Sequence, residues 1–213
     1  MKIDIVKPHE IEAKSFEIIS EIIEREHPDA VIRPEHESIV KRVIHTSADF
    51  EYLQNLVISE DAVEKAILAL KKGAIIVTDT NMAKAGINKT LLAKLGGEVH
   101  CYIADEDVAS EAKERGITRA MVSMEKASRL SRPIIFAIGN APTALIALDQ
   151  MIKEGKLKPE LIIGVPVGFV NVVESKQLIM ESGIPYIVAR GRKGGSNVAA
   201  AICNALIYKL EER

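Results

Sequence analysis

One histidine stands out as a residue that could do chemistry: His45, in the segment RVIHTSADFEY at residues 42–52. A short apolar run precedes it and an acidic stretch follows it. Imidazole changes its protonation state near neutral pH and is also a common metal ligand. The flanking residues therefore leave three interpretations open: a packed helix residue, a metal ligand or a proton donor.

Positive charge is concentrated in the segment RGRKGGSNVAAA, residues 190–201. Arg190, Arg192 and Lys193 stand among glycines, which let a ligand approach the backbone closely. The segment leads into a predicted helix start, which also favours anions. Its spacing differs from the P-loop pattern G-x-x-x-x-G-K-[ST]. We predict an anion site here, and a solvated basic turn is the alternative.

Three consecutive hydrogen-bonding side chains, Asp79, Thr80 and Asn81, open the segment DTNMAKAGI. Short polar side chains cap helices and form turns, so a turn followed by a helix N-cap explains them without a ligand. Their position directly after a predicted strand also allows them to line a ligand pocket. Both interpretations stay open on the residues alone.

The segment GNAPTALIAL, residues 139–148, has the features of a helix start. Gly139 lets the backbone turn, Asn140 can act as a cap, and Pro142 suits the first helical turn. The first backbone amides of a helix have no partner within it and attract carboxylate or phosphate. We expect free amides that face a ligand, or capping without a ligand.

An apolar loop, GVPVGFVNVVESK at residues 164–176, is unusual because loops are mostly polar. It predicts a wall for a large apolar ligand or a contact between subunits. Burial beneath another loop is the alternative.

Five short apolar runs form the framework for these segments. They are AIIVT (74–78), VHCYIA (99–104), PIIFAIG (133–139), LIIGVPVG (161–168) and PYIVAR (185–190). Continuous apolar strands separated by helices predict a doubly wound α/β fold, with a mainly parallel sheet flanked by helices. Ligands bind such folds beyond the carboxyl ends of the strands, which is where these loop segments lie.

The first 72 residues are predicted to be helical and to pack on the α/β part, residues 73–213, within one domain. PHEIEAKSFEIISEIIEREH carries an amphipathic stripe close to the helical period. EHESIVKRVIH predicts a second short helix that ends near His45. SEDAVEKAILALKKG predicts a third, with Ser59 as its N-cap.

The composition disfavours several partners. The net charge of −2 provides no global basic field for nucleic acid or a membrane surface. Aromatic residues make up 4% of the chain, which disfavours stacking on single-stranded bases. The longest uncharged stretch, residues 133–148, falls short of the ~20 residues that span a bilayer, and no apolar signal core opens the chain. We expect a cytoplasmic protein without a nucleic-acid or membrane partner.

The two cysteines, Cys101 and Cys203, are isolated in apolar surroundings, which favours core packing over a disulfide. No paired Cys/His spacing predicts a zinc site, so we expect no metal held by the protein.

Five segments, in this order, resemble those of the precorrin-8X methylmutases, including the cobalt-precorrin-8 methylmutases of the anaerobic cobalamin pathway. The segments are RVIHTSADF, DTNMAKAGI, GNAPTAL, GVPVGFVNVVESK and RGRKGGSNVAAA. The similarity runs essentially from end to end, and five long segments in one order are a very specific signature.

The resemblance implies an isomerase of corrin ring biosynthesis. Family members move a methyl group from ring carbon 11 to ring carbon 12 of a macrocycle that bears acetate and propionate side chains. The product is hydrogenobyrinate or its cobalt form, cobyrinate. The resemblance also implies a homodimer, active sites near the subunit interface and no organic cofactor. Whether the substrate carries cobalt stays open.

The resemblance assigns catalysis to His45 as a proton donor, since a methyl shift around a conjugated ring is helped when the ring is made electron-poor. Substrate binding is implied for Arg42, Thr80, Asn81, Arg119, Asn140, Thr143, Arg190, Arg192 and Lys193. For Arg119, in GITRAMVSMEKA, a helix-surface charge is the alternative.

Two rival functions follow from the same residues. A non-catalytic corrinoid carrier would use the same anion-binding segments, need no acid, and bind without turnover. A nucleotide-dependent α/β enzyme is disfavoured, because the sequence has neither a P-loop nor a G-x-G-x-x-G motif after the first predicted strand.

Overall fold

The computed structural model describes residues 7–211, which form a six-stranded sheet with helices on both faces. The strands are β1 Leu56–Ile58, β2 Ile75–Thr78, β3 Glu98–His100, β4 Ile134–Ile138, β5 Leu161–Gly164 and β6 Tyr186–Ala189. Their order is β1-β6-β5-β4-β2-β3, and β1 is the antiparallel strand in an otherwise parallel sheet. The predicted doubly wound, mainly parallel sheet is confirmed.

The helices connect these strands and cover the sheet. They are α1 Ile11–Glu26, α2 Pro34–Ser47, α3 Tyr52–Asn55, α4 Ala62–Lys71, α5 Asn81–Gly86, α6 Lys89–Lys94, α7 Glu106–Arg115, α8 Arg119–Ala127, α9 Pro142–Lys153, α10 Val172–Glu181 and α11 Ser196–Tyr208. A 3-10 turn at Pro8–Glu10 precedes α1. The three predicted N-terminal helices are present as α1, α2 and α4, and α2 ends two residues beyond His45.

Alternate side chains along each central strand enter two different apolar cores. Ile135 and Ala137 of β4 join the core under α2, α4 and α11. Ile134, Phe136 and Ile138 of the same strand join the core under α8, α9 and α10. Because both faces are buried, the strand sequences are continuously apolar rather than alternating.

The prediction that residues 1–72 are helical is wrong at Leu56–Ile58, which form β1 at the edge of the sheet. Only three residues make this strand, too few to show a period of two in the sequence. Ser59 is not the N-cap of α4: the cap residue is Asp61. The Ser59 hydroxyl accepts a hydrogen bond from the Tyr186 N–H instead, at 3.0 Å, which ties the end of β1 to the start of β6.

The two cysteines are free thiols, as predicted. Cys203 lies in the core and Cys101 is half-buried. Burial raises the pKa of the Cys203 thiol to about 12, which suits an inert packing residue. Within residues 7–211, no helix has both the length and the apolar character needed to cross a membrane.

Candidate active site

Strand β3 lies on one side of β2 and β4 lies on the other, so the order in which the chain adds strands reverses between β2 and β4. A buried carboxylate joins the loops that follow these two strands. Asp79, directly after β2, accepts hydrogen bonds from the backbone N–H groups of Gly139, Asn140 and Ala141 at 2.9, 2.8 and 2.6 Å. For the start of α9 the sequence left two alternatives: amides that face a ligand, or capping without a ligand. The amides of residues 139–141, just before α9, are occupied by this side chain of the protein itself, which agrees with the second alternative.

The electrostatics of Asp79 reflect this enclosed position. Burial raises the pKa of the carboxyl, and the hydrogen bonds from the three backbone amides oppose that rise. With three donors converging on one side chain, the loops after β2 and β4 are tied together. The crevice expected at this switch point is therefore closed at its base.

The loops at the carboxyl edge of the sheet also pack closely against one another at two glycines. A Cβ added at Gly139 would lie 2.7 Å from Ser196 Cα, and one added at Gly194 would lie 2.0 Å from the Val165 oxygen. Only residues without a side chain allow these close approaches. Thr80 Oγ1 lies 2.8 Å from Ser196 Oγ, which links the start of α5 to the start of α11.

His45 lies in the last turn of α2 with its ring exposed, so it is not a packed core residue. Its Nδ1 lies 2.7 Å from the hydroxyl of Ser15 on α1. The Phe16 ring approaches the imidazole edge-on, with ring centroids 5.6 Å apart. A hydroxyl can donate or accept, so Ser15 can hold the ring in either protonation state and leave Nε2 for a ligand.

Two adjoining cavities lie beside His45. One, of about 220 Å³, is lined by residues that include His45, Arg42 and Asn204. The other, of about 330 Å³, is lined by residues that include Lys193 and Gly194. Thr46 and Asn197 line both cavities. The histidine of α2 and the basic loop before α11 therefore open onto one cleft.

Arg42 lines the cleft but is already bound within the protein. Its guanidinium binds the Glu12 carboxylate at 2.5 Å. It also lies over the rings of Phe16 and Tyr208, at 5.2 and 4.6 Å from their centroids. These contacts hold α1, α2 and α11 together around His45. The predicted contact of Arg42 with substrate stays a prediction.

The three cations of the basic loop have different partners. Lys193 binds Asp49 at 2.6 Å and Glu51 at 3.0 Å, so two carboxylates offset its charge. Hydrogen bonds to those carboxylates raise the pKa of Lys193. Arg192 is exposed and lies 5.9 Å from the centroid of the Phe169 ring. Arg190 is also exposed and is held through its backbone N–H, which donates to the Asn55 carbonyl at 2.7 Å.

The remaining predicted site residues form a second group around the start of α9. Thr143 Oγ1 lies 2.9 Å from Thr118 Oγ1, which joins the first turns of α9 and α8. Arg119 follows Thr118 in the chain and is exposed, as are Asn81 and Asn140. None of the four predicted residues in this group lines the two cavities beside His45. Their roles toward a ligand stay predictions.

Several residues in or next to the cleft were not identified as site residues from the sequence. Asp49, Asn197 and Asn204 line its cavities, Ser15 contacts His45, and Lys176 lies beneath the basic loop. Ser15 gives no signal, since it is one polar residue on an amphipathic helix. The sequence did single out Asp79, because a carboxylate directly after a strand at the switch point faces the next loop.

Across residues 7–211 no group of three or more His, Cys, Asp and Glu side chains is arranged to hold a metal ion. His45 is exposed beside the cleft, and its role as a proton donor stays a prediction.

The fold and the cleft define a class of protein: a doubly wound α/β protein that combines an accessible imidazole with a basic, glycine-rich loop at the carboxyl edge of its sheet. Anionic ligands suit such a cleft.

Comparison with known proteins identifies the family. The family model described as precorrin-8X methylmutase matches residues 10–209. A cobalt-precorrin-8 methylmutase of Salmonella typhimurium is 50% identical over 98% of both chains, and one of Priestia megaterium is 47% identical over 94% of this chain and 88% of its own. The structure of precorrin-8x methyl mutase from Thermus thermophilus matches with a TM-score of 0.82 at 38% identity, over 93% of this chain and 96% of that one. The chain belongs to the precorrin-8X methylmutase family.

Proposed function

We propose that this protein is an isomerase that moves a methyl group from ring carbon 11 to ring carbon 12 of a corrin precursor. The observation that carries the proposal is the placement of His45, which Ser15 orients beside a cleft that continues to the basic loop. Membership of the methylmutase family along nearly the whole chain supports the same reaction.

His45 is the proton donor in this proposal. Protonating or hydrogen-bonding a ring nitrogen or carbon draws electrons from the conjugated ring and eases the migration of the methyl group. General acid help of this kind contributes about 10²–10⁴-fold to a rate. During proton transfer Nδ1–H can keep donating to the Ser15 hydroxyl while Nε2 gives up its proton. Further acceleration would come from holding the methyl group and its acceptor carbon in line.

The carboxylates of the macrocycle would bind at the edge of the sheet. Arg190 and Arg192 are exposed on the basic loop and suit this role, with Lys193 beside them. Thr80, Asn81, Arg119, Asn140 and Thr143 would bind other side chains of the ring. We favour a cobalt-bearing substrate, because the two relatives reported above are named cobalt-precorrin-8 methylmutases.

The proposal includes no organic cofactor, a homodimeric assembly and a cytoplasmic location. The rearrangement involves no net electron transfer and the migrating group stays on the substrate, so an organic cofactor has no step to perform. A homodimer is proposed because Phe169 and Val170 of the loop after β5 are 84% and 78% exposed. The reaction would take place in the cytoplasm.

A turnover assay tests the function against its rival. The purified protein is incubated with a large excess of precorrin-8X or its cobalt form, and the rearranged ring is followed by its absorption spectrum. An isomerase converts all of the substrate, whereas a carrier gives a spectral change that stops at one equivalent per site. A stoichiometric change with no turnover on either substrate would contradict the proposal.

A further inference from the structure

A lysine that the proposed reaction does not use lies beneath the basic loop. Lys176, on α10, is 1% exposed, and its Nζ donates to the carbonyl oxygens of Gly191 and Lys193 at 2.8 and 2.9 Å. Both acceptors are neutral. A buried ammonium with only neutral partners is costly, so its presence calls for a physical reason.

The two carbonyls fix the orientation of two peptide groups. In a trans peptide the C=O and the following N–H point in opposite directions. With the Gly191 and Lys193 carbonyls turned toward Lys176, the N–H groups of Arg192 and Gly194 turn away from it. Within residues 7–211 neither N–H has a hydrogen-bond acceptor.

The loop that carries these amides borders the cleft, and Gly194 itself lines it. Gly194 and Lys193 line the cavity of about 330 Å³ beside His45. Gly191 has a φ of +73°, in the left-handed region that glycine adopts without strain, so the loop can take this shape. Two outward backbone N–H groups on one loop, with a cation behind them, favour the binding of an oxyanion.

We propose that Lys176 is a positioning residue for substrate binding, whose ammonium turns the Arg192 and Gly194 amides toward a carboxylate of the ring and adds a positive charge beneath them. This inference rests on the proposed function, since it assigns the amides to a carboxylate of that substrate.

The charge state of Lys176 offers a way to test the role. Burial lowers the pKa of Lys176 from its ordinary value to about 8. A bound carboxylate favours the ammonium form, so affinity should fall as the pH rises through about 8. Lys193 stays charged over this range, because the hydrogen bonds that it donates to the Asp49 and Glu51 carboxylates raise its pKa. The other charged groups on the neighbouring elements are Arg190 and Arg192 on the loop, Glu174 and Glu181 on α10, and Asp149 with its partner Lys153 on α9.

The experiment measures the affinity of the whole protein for hydrogenobyrinate by absorption titration, together with kcat and KM. Lys176→Met, which keeps the length of the side chain, should weaken binding and raise KM about tenfold, with kcat changed little. Lys176→Gln keeps N–H donors without the charge and should bind with intermediate affinity. Lys158→Met removes the same charge from an exposed position before β5 and should bind as the wild type does.

The pH profile separates positioning from a purely structural role. Wild-type affinity should decline around pH 8, and Lys176→Met should lack that decline. Wild-type affinity and an unchanged pH profile in Lys176→Met would overturn the inference. If Lys176→Met does not fold, a wild-type affinity that is flat between pH 7 and 9 overturns it, and a decline that Lys176→Gln lacks supports it. A wild-type protein that neither binds nor converts the ring contradicts the proposed function itself, which is a different result.

Discussion

The hydroxyl of Ser15 and the Nδ1 of His45 are 2.7 Å apart although the two residues are separated by 30 positions in the chain. Arg42, one helical turn before His45, binds Glu12, which precedes Ser15 by nearly one turn on α1. The two contacts run side by side between α1 and α2. The orientation of the imidazole therefore depends on how α1 packs against α2, and not on α2 alone.

Removal of the His45 imidazole tests its role as the proton donor. His45→Ala should lower kcat about 10²–10⁴-fold, because the variant has no group to protonate the ring. Affinity for hydrogenobyrinate should change little, since the basic loop remains. Absorption spectroscopy follows both quantities, and His9→Ala, at another exposed histidine, is the matched control. Turnover by His45→Ala at the wild-type rate would exclude the role of acid.

Removal of the Ser15 hydroxyl tests the orientation of the ring. Ser15→Ala should lower kcat roughly three- to tenfold, the equivalent of one hydrogen bond, and leave KM nearly unchanged. Ser20→Ala is the control on the same helix, because the Ser20 hydroxyl donates to the Phe16 carbonyl and does not contact His45. Equal losses in the two variants would mean that α1 as a whole, rather than this contact, is responsible.

Asp79 should stabilise the fold. Asp79→Asn replaces one carboxylate oxygen by an amide that cannot accept, so at least one buried N–H of residues 139–141 loses its partner. We expect the free energy of unfolding in urea to fall by about 2–4 kcal/mol. Asp29→Asn, at an exposed position, should stay within about 0.5 kcal/mol of the wild type. A similarly small change for Asp79→Asn would show that the loops are held by other contacts.

The carboxylates around Lys193 should weaken the binding of an anionic ligand. Burial raises the pKa of Asp49, but hydrogen bonds from the Lys193 side chain and the Glu51 N–H outweigh that effect and lower it overall. Asp49 is thus ionised at neutral pH and opposes the charge of Lys193. Asp49→Asn should tighten hydrogenobyrinate binding roughly two- to fivefold at low salt, an effect that 0.5 M salt removes. Asp61→Asn, at the N-cap residue of α4, serves as the control, and weaker binding by Asp49→Asn would contradict the prediction.

The apolar loop should hold two subunits together. Phe169→Asp places a charge on the most exposed part of the loop after β5, and light scattering at micromolar concentration should then give the mass of one chain. Val31→Asp is a matched control, since Val31 is 93% exposed in the link between α1 and α2. A wild-type protein that is already a monomer would contradict the dimer. A Phe169→Asp variant that stays dimeric would place the interface elsewhere.

The framework of the fold could be predicted because it follows from local patterns. Four of the five predicted apolar runs contain a parallel strand, and the run 99–104 overlaps β3, which begins one residue earlier at Glu98. The run 161–168 extends beyond β5, which ends at Gly164, into a loop where Val165 is buried and Val167 is 47% exposed. Strand β1 could not be predicted because its three residues have no pattern, and its place is set by pairing with β6.

The amides before α9 show what a correct local pattern leaves open. Gly139 and Pro142 do mark a helix start, and the N–H groups of residues 139–141 just before it bind a carboxylate. The carboxylate belongs to Asp79, which lies 60 positions before Gly139 in the chain. The sequence shows that the backbone amides at this point favour an anionic acceptor, but not whether a ligand or the protein supplies that acceptor.

By itself the sequence determined the layers of this protein and the position of the basic, glycine-rich loop after the last strand, because these depend on periodicity and turn residues, which act over a few positions. The role of His45 was implied by the family resemblance and stays a prediction. The tertiary structure decided which charges already have partners: Glu12 for Arg42, Asp49 for Lys193 and backbone carbonyls for Lys176. Such pairs depend on packing between segments as far as 144 positions apart, as for Lys193 and Asp49, and no local pattern records those distances.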